Sequence, residues 1–143
     1  MSTPKPTYLQ VTQEAGRDFF RRGVTGPVVM LNLLRFRAIA DYTEAPALAP
    51  AGPISGAEAY QRYIAHTLPL LRKAGGEVVY VGDGGAHLIG PADEGWDLVL
   101  LIRHRSVADF MAFATDEAYL AGAGHRQAAL ADSRLLPTIE RAP

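Results

Sequence analysis

Three observations predict an α+β fold built on one four-stranded antiparallel sheet with helices on one side. β-rich runs and capped helices follow one another in the order β-α-β-β-α-β. Two of the runs, VVMLNLLRF at 28–36 and WDLVLLIRH at 96–104, are apolar on both of their alternating sets of residues. The signatures Ser55-Gly-Ala-Glu58 and Ser106-Val-Ala-Asp109 each place a serine three residues ahead of an acid, which opens a helix.

The 143 residues suit a single domain: an N-terminal arm and helix over 1–26, a core over about 27–139, and an inserted loop at 37–54. Hydrophobic residues make up 48% and charged residues 20%, enough for a packed core. A net charge of −1 removes the global pull that a nucleic acid or an anionic membrane exerts on a basic protein, so neither is expected as a partner. Without cysteine there is no disulfide, thiolate nucleophile or cysteine-ligated metal. No apolar run approaches the ~18 residues that cross a bilayer. The start MSTPKPTYLQ lacks the basic and apolar blocks of a signal peptide, so a soluble, cytoplasmic protein is expected.

In chain order, residues 1–7 hold two prolines and read as a loose arm. From Thr12 to Arg22, an N-cap and an early acid lead to arginines before Gly23, the polarity of a short helix anchored by Phe19 and Phe20. The run at 28–36 is the first strand. Residues 37–54, rich in Ala and Pro, are too long for an ordinary connection and read as a lid or binding loop outside the core. The Ser55 box starts a helix that runs to about Ala74, kinked at Pro69 and stopped by Gly75-Gly76. EVVYVG at 77–82 is the second strand, with a tight turn at Asp83-Gly84. After the strand at 96–104 comes a helix with Phe110, Met111 and Phe113, then a glycine-interrupted helical stretch through 121–131. RLLPTIE at 134–140 is the last strand, and Pro137 points to an edge or to pairing that needs no amide at that position.

This order is the ferredoxin-like arrangement. Two helices cover only one side of its sheet, yet the first and third strands are apolar on both sides. A monomer would show water a large apolar surface. A second copy laid sheet to sheet about a two-fold axis removes it and makes a barrel across a homodimer. A charge placed at whichever of Leu98 or Val99 faces the partner should split that dimer.

The segments YQRYIAHTLPLLRKAGGEVVYVG and WDLVLLIRHRSVADFMAFATDEAYLAGAGHRQAALADSRLL carry a resemblance over roughly 27–139. Tyr60-x-x-Tyr63, the Gly75-Gly76 stop, Ser106 after a strand, Tyr119, and Arg126 before an Ala-rich turn together resemble the dimeric α+β barrel superfamily. More narrowly, they resemble the domain-of-unknown-function family labelled thirteen-thirty. The resemblance implies a shape; relatives across the superfamily include cofactor-free monooxygenases, isomerases and haem-binding enzymes, so function rests on the site.

The four histidines, His66, His87, His104 and His125, lack metal-ligand spacing, so no metal is expected. No cofactor is expected either, with haem on His66 or His125 the lesser reading. GDGG at 82–85 is turn composition rather than a phosphate loop, and no serine sits in a nucleophile elbow. Asn32, in mid-strand among apolar neighbours, needs partners: a nearby backbone group, or a ligand. Tyr60, Tyr63 and Tyr80 either line a pocket between sheet and helix or belong to the core. In GHRQAALADSRLLP, a helix over 121–131 puts His125, Ala128, Ala129 and Asp132 near one face. Arg126 then holds a ligand carboxylate or ties the helix to Asp132, Asp109 or Glu117. His125 is the candidate for moving a proton near neutral pH. Two readings follow: cofactor-independent chemistry on a small apolar or aromatic acid, or a non-catalytic binding or interaction protein on the same homodimer. RNA stacking lacks the exposed aromatics it requires.

Overall fold

A computed structural model of the chain describes residues 5–143. Helix α1 (Gln13–Arg21) is capped as its sequence dictates, with the Thr12 hydroxyl accepting from the Ala15 amide. Only one of its two phenylalanines is an anchor: Phe19 meets Phe110 edge-on at 6.4 Å, whereas Phe20 is 60% exposed. Strand β1 (Val28–Phe36) follows. Helix α2 (Gly56–Lys73) starts on Ser55, whose hydroxyl accepts from the Glu58 amide at 3.0 Å; Pro69 sits inside it and the helix still continues to Lys73.

Strand β2 (Glu77–Ala86) runs straight through Asp83-Gly84, where the sequence predicts a tight turn. Gly84 serves a strand function instead. A side chain there would meet the Trp96 carbonyl at 2.3 Å, so its absence lets the neighbouring strand come close. That neighbour is β3 (Gly95–His104), and the connection lies at 87–94. Helices α3 (Val107–Ala114), α4 (Glu117–Leu120) and α5 (Ala123–Ala129) make up the second crossover. Strand β4 (Leu130–Thr138) begins four residues earlier than the sequence predicts, because Leu130 pairs with Phe36 and Asp132 with Arg35. Asp132 is therefore a strand residue and not part of the His125 helix.

The sheet order is β2-β3-β1-β4, with every pair antiparallel. This is a ferredoxin-like α+β fold, with Pro137 on an edge strand. On the helix side, Leu34 and Leu100 pack with Ala59, Tyr60 and Tyr63 of α2 and with Ala129 and Leu130. A second cluster joins Val28, Met30 and Val107 to Phe19 and Phe110. By alternation, Val29, Leu31 and Leu33 of β1 and Val99 and Leu101 of β3 project from the other face. Leu98 belongs to the helix side, so the residue facing away from the helices is Val99.

The segment 37–54 differs from its expected role. Its backbone is pinned by Arg37 N to Ala129 O, Ala40 N to Ile54 O, and Asp41 N to Ala128 O, each at 2.8–2.9 Å. Ala40, Tyr42 and Ile54 pack against the larger core cluster. These residues are half-buried and pack on the outside of the core, which none of the segment enters. The N-terminal arm is also held from Lys5 onward, by the Lys5–Asp93 ion pair and by the Tyr8 amide, which donates to Asp132 at 2.8 Å. Of the arm expected at 1–7, residues 1–4 lie outside the described residues.

Candidate functional site

Asn32, Tyr63, Tyr80, His125 and Arg126 do not converge on one pocket. Asn32 lies on the helix side, between Met30 of one core cluster and Leu34 of the other. Its amide donates to the Met30 carbonyl at 3.2 Å, which is the backbone alternative. Tyr63 is buried in an aromatic row, 5.3 Å from Tyr60 and 6.1 Å from Tyr119, with its hydroxyl 3.0 Å from that of Tyr119. Burial pushes the phenol pKa values of Tyr60 and Tyr63 far up, with the Arg126 charge opposing only part of the rise. Tyr80 stands apart: it pairs with Leu101 on the face away from the helices and is 54% exposed.

His125 and Arg126, adjacent in α5, point to different neighbours. Arg126 donates to the Leu9 carbonyl at 2.6 Å and, more weakly, to the Ser133 hydroxyl at 3.4 Å. None of Asp132, Asp109 and Glu117 is its partner. The guanidinium instead ties α5 and β4 to the N-terminal arm, because Asp132 is already occupied. That carboxylate accepts from the amides of Tyr8 and Ser133 and from Arg134. Burial pushes its pKa up, but these donors outweigh burial and hold it below the usual carboxylate value.

His125 faces the 37–54 segment. Its Nδ1 lies 2.7 Å from the Tyr42 hydroxyl, and the two rings meet edge-on at 5.5 Å. Two residues of α2 join them. His66 donates from Nε2 to the Ala118 carbonyl at 2.7 Å, which fixes its tautomer. Gly122 makes room for it, since a side chain there would meet the His66 ring at 2.1 Å. Arg62, one helical turn before His66, is exposed and has no carboxylate within ion-pair reach among the described residues. Burial lowers the His125 pKa, and the charges of Arg62 and His66 lower it further. Burial also raises the Tyr42 phenol, against a smaller opposing effect of Arg62.

At neutral pH His125 is therefore an uncharged imidazole. When Nε2 carries the ring proton, Nδ1 accepts a hydrogen bond from the Tyr42 hydroxyl. Tyr42, Arg62, His66 and His125 form a cluster that pairs a proton acceptor with an uncompensated positive charge. Sequence reasoning singled out His125, named His66 only as an alternative haem ligand, and passed over Tyr42 and Arg62. The signal for Arg62 and His66 was their i, i+4 spacing on the helix that the Ser55 box opens, while Tyr42 lay in a segment set aside as a loop.

Hollows of about 580 Å³ and 300 Å³ open elsewhere. The larger is lined by Thr25, Pro27, Arg103, Ile139 and Arg141 among others, the smaller by Val29, Val79, Leu101, Arg103 and Thr138. Both share Arg103 and Glu140, and the smaller lies on the open face of the sheet. Among the described residues no group of three or more His, Asp or Glu is placed to hold a metal, and no helix is long and apolar enough to cross a membrane.

The model of the family described as Domain of unknown function (DUF1330) matches residues 47–137. Among solved structures, the chain is similar to the RPA0582 protein of Rhodopseudomonas palustris, a protein of unknown function. The two are 36% identical over 96% of this chain and 100% of that one, with a TM-score of 0.86. The methylated RPA0582 protein matches at the same identity and TM-score, with 97% of that chain covered. A dimeric protein of unknown function and ferredoxin-like fold from Bacteroides fragilis is 12% identical over 78% of this chain and 94% of that one, with a TM-score of 0.47. No curated protein matches the sequence.

Proposed function

We propose that this chain, which belongs to the DUF1330 family, is a homodimer that binds a small acidic molecule at Tyr42, Arg62, His66 and His125. The observation that carries the reading is the 2.7 Å contact between Tyr42 and His125 beside an arginine with no carboxylate of its own. A carboxylate arriving there supplies the missing negative charge. It also favours the protonated imidazole, so binding takes up a proton on His125. The homodimer rests on the open face of the sheet, where Val29, Leu31, Leu33, Val99 and Leu101 are only half-buried by their own chain.

Binding without turnover is the principal reading, because the helix side is filled by core residues and the hollows lie away from His125. One observation favours a catalytic variant: a half-buried, neutral imidazole hydrogen-bonded to a phenol is equipped to take a proton from an O–H or C–H group of the bound carboxylate-bearing molecule.

The test is a titration with acetate, benzoate and phenylacetate, followed by the imidazole resonances of His125 and His66. Both rings should shift on binding, and Arg62→Ala should abolish the shifts. Affinity should fall as pH rises through the His125 pKa, since the bound form holds the extra proton. If millimolar carboxylate leaves both rings unmoved, or if Arg62→Ala binds as well as the parent, the acid site is wrong.

A further inference from the structure

The 87–94 connection of the β2–β3 hairpin projects from one end of the sheet. The last β1–β3 pair is Leu34 with Leu98, but β2 and β3 continue to pair through Gly85–Trp96 and Ala86–Gly95. β1 itself runs on to Phe36, level with Trp96, so the paired strands end about one residue, roughly 3 Å, past β1, and the 87–94 tip extends from there. The base of this arm is braced. Glu94 takes His87 and Arg134, each at 3.2 Å, and the Arg134 guanidinium lies between the rings of Tyr8 and Trp96, 4.9 Å from each. Lys5 pairs with Asp93 on the same loop. At the end of this braced arm, Leu88 and Ile89 are fully exposed side by side. Single exposed aliphatics are ordinary, but two on a held tip form a preorganised apolar anchor.

We infer that Leu88 and Ile89 seat in the hollow bounded by Val29, Val79, Leu101 and Thr138 of a second copy, so that the two chains pack with their strands head to tail. This rests on the homodimer proposed above and specifies how its two copies are oriented. The hollow, about 300 Å³, lies on the open face near the end of the sheet away from the tip, where β1 begins and β3 ends. A two-fold axis across the strands brings each tip over that end of its partner. An axis along the strands brings tip to tip.

Charge decides between them. Residues 83–97 contain Asp83, Asp93, Glu94 and Asp97 and no lysine or arginine. The opposite end carries Arg72, Lys73, Arg103, Arg105 and Arg141 against Glu77 and Glu140. Lys5 and Arg134 offset Asp93 and Glu94, which leaves Asp83 and Asp97. Packing tip to tip sets two such acidic ends against each other, whereas packing head to tail sets each near the basic end. Like charges brought together across an interface are unfavourable, so the head-to-tail orientation is favoured.

The absence of cysteine makes a direct test clean. A chain carrying Ile89→Cys and a differently tagged chain carrying Val79→Cys are mixed and oxidised. The expected product is the mixed cross-linked dimer, with neither variant cross-linking to itself. In sedimentation, the double variant Leu88→Asp/Ile89→Asp should raise the dimer dissociation constant at least about thirtyfold, with an unchanged circular dichroism spectrum, because both positions are exposed within one chain. Cross-linking of Ile89→Cys to itself overturns the orientation. A dimer that Val99→Asp splits but the double tip variant leaves intact overturns the docking while sparing the homodimer. A monomeric parent chain at micromolar concentration removes both.

Discussion

The two faces of this sheet carry similar residues and meet different fates. On the helix side, Leu34, Leu100 and Leu130 are sealed by α2 and α5, and Asn32 finds a backbone partner within its own strand. On the other side, Val29, Leu31, Leu33, Val99 and Leu101 are of the same apolar kind, yet no element of their own chain covers them. Composition makes a surface apolar, and topology decides whether the chain itself can cover it. A βαββαβ chain returns both crossovers to one side, so the second side remains for another molecule.

The strongest way to break the contrast is to charge each face in turn. Val99→Asp puts a carboxylate in the middle of the open face, where a partner sheet would bury it unpaired at a cost of several kcal/mol. Light scattering at micromolar concentration should fall from twice the 15.4 kDa chain mass to that mass, while each chain stays folded. A parent chain already at 15.4 kDa would contradict the open-face interface. On the sealed face a milder change suffices. Leu34→Ala leaves a cavity among Tyr60, Leu100 and Leu130 and should lower folding stability by about 3 kcal/mol, read from denaturant unfolding. If Leu34→Ala instead changed assembly and Val99→Asp changed stability, the faces would be assigned the wrong way round.

The contrast also marks what the sequence made legible. Strand β1 was readable to the residue because VVMLNLLRF is bounded by Gly26-Pro27 and by a change of composition. Both serine caps were equally clear, since the signal is local and the bond spans three residues. Errors arose where local composition served a distant neighbour. Asp83-Gly84 looks like a turn, but its glycine answers to the Trp96 carbonyl on the next strand. The Ala/Pro segment at 37–54 looks like a lid, but its amides pair with the end of α5 about 90 residues away along the chain. The site failed for the same reason. His125 was visible as a lone titratable residue, whereas its association with Tyr42, Arg62 and His66 exists only after α2, α5 and that segment pack together.

Acid sharpens the comparison from the sealed side. His104 is buried at the end of β3 between Phe110 and Phe113, at 5.0 and 5.7 Å. Burial lowers its pKa below the ordinary 6.5, and Asp109 offsets this only in part. The unfolded chain therefore binds the proton more readily than the folded one. Stability is complete above about pH 6.5 and declines as pH falls from there through the folded value. Thermal melts at pH 7.5, 6 and 5 should show this decline, and His104→Leu should flatten it. A melting temperature of the variant with the same acid slope as the parent would locate the titrating group elsewhere.

The smallest effect belongs to Arg126, where the two roles weighed for it from the sequence now predict different outcomes. Its guanidinium crosses from α5 to the Leu9 carbonyl and the Ser133 hydroxyl and makes no hydrogen bond to the Tyr42–His125 pair. Arg126→Lys keeps the charge and gathers its donors on one nitrogen, so the bond to Leu9 can persist, while the two-nitrogen fork that also reaches Ser133 is lost. The expected loss is about 1 kcal/mol or less, visible as a small drop in melting temperature. Hydrogen exchange should quicken at the Tyr8 amide, because the arm loses one of its ties. Amides of Arg37, Ala40 and Asp41 should remain slow, since their partners lie in Ala129, Ile54 and Ala128 and do not involve Arg126. Carboxylate affinity at Arg62 and His125 should stay unchanged. If affinity fell in Arg126→Lys while the arm stayed protected, Arg126 would belong to the ligand site and its contact with Leu9 would be secondary.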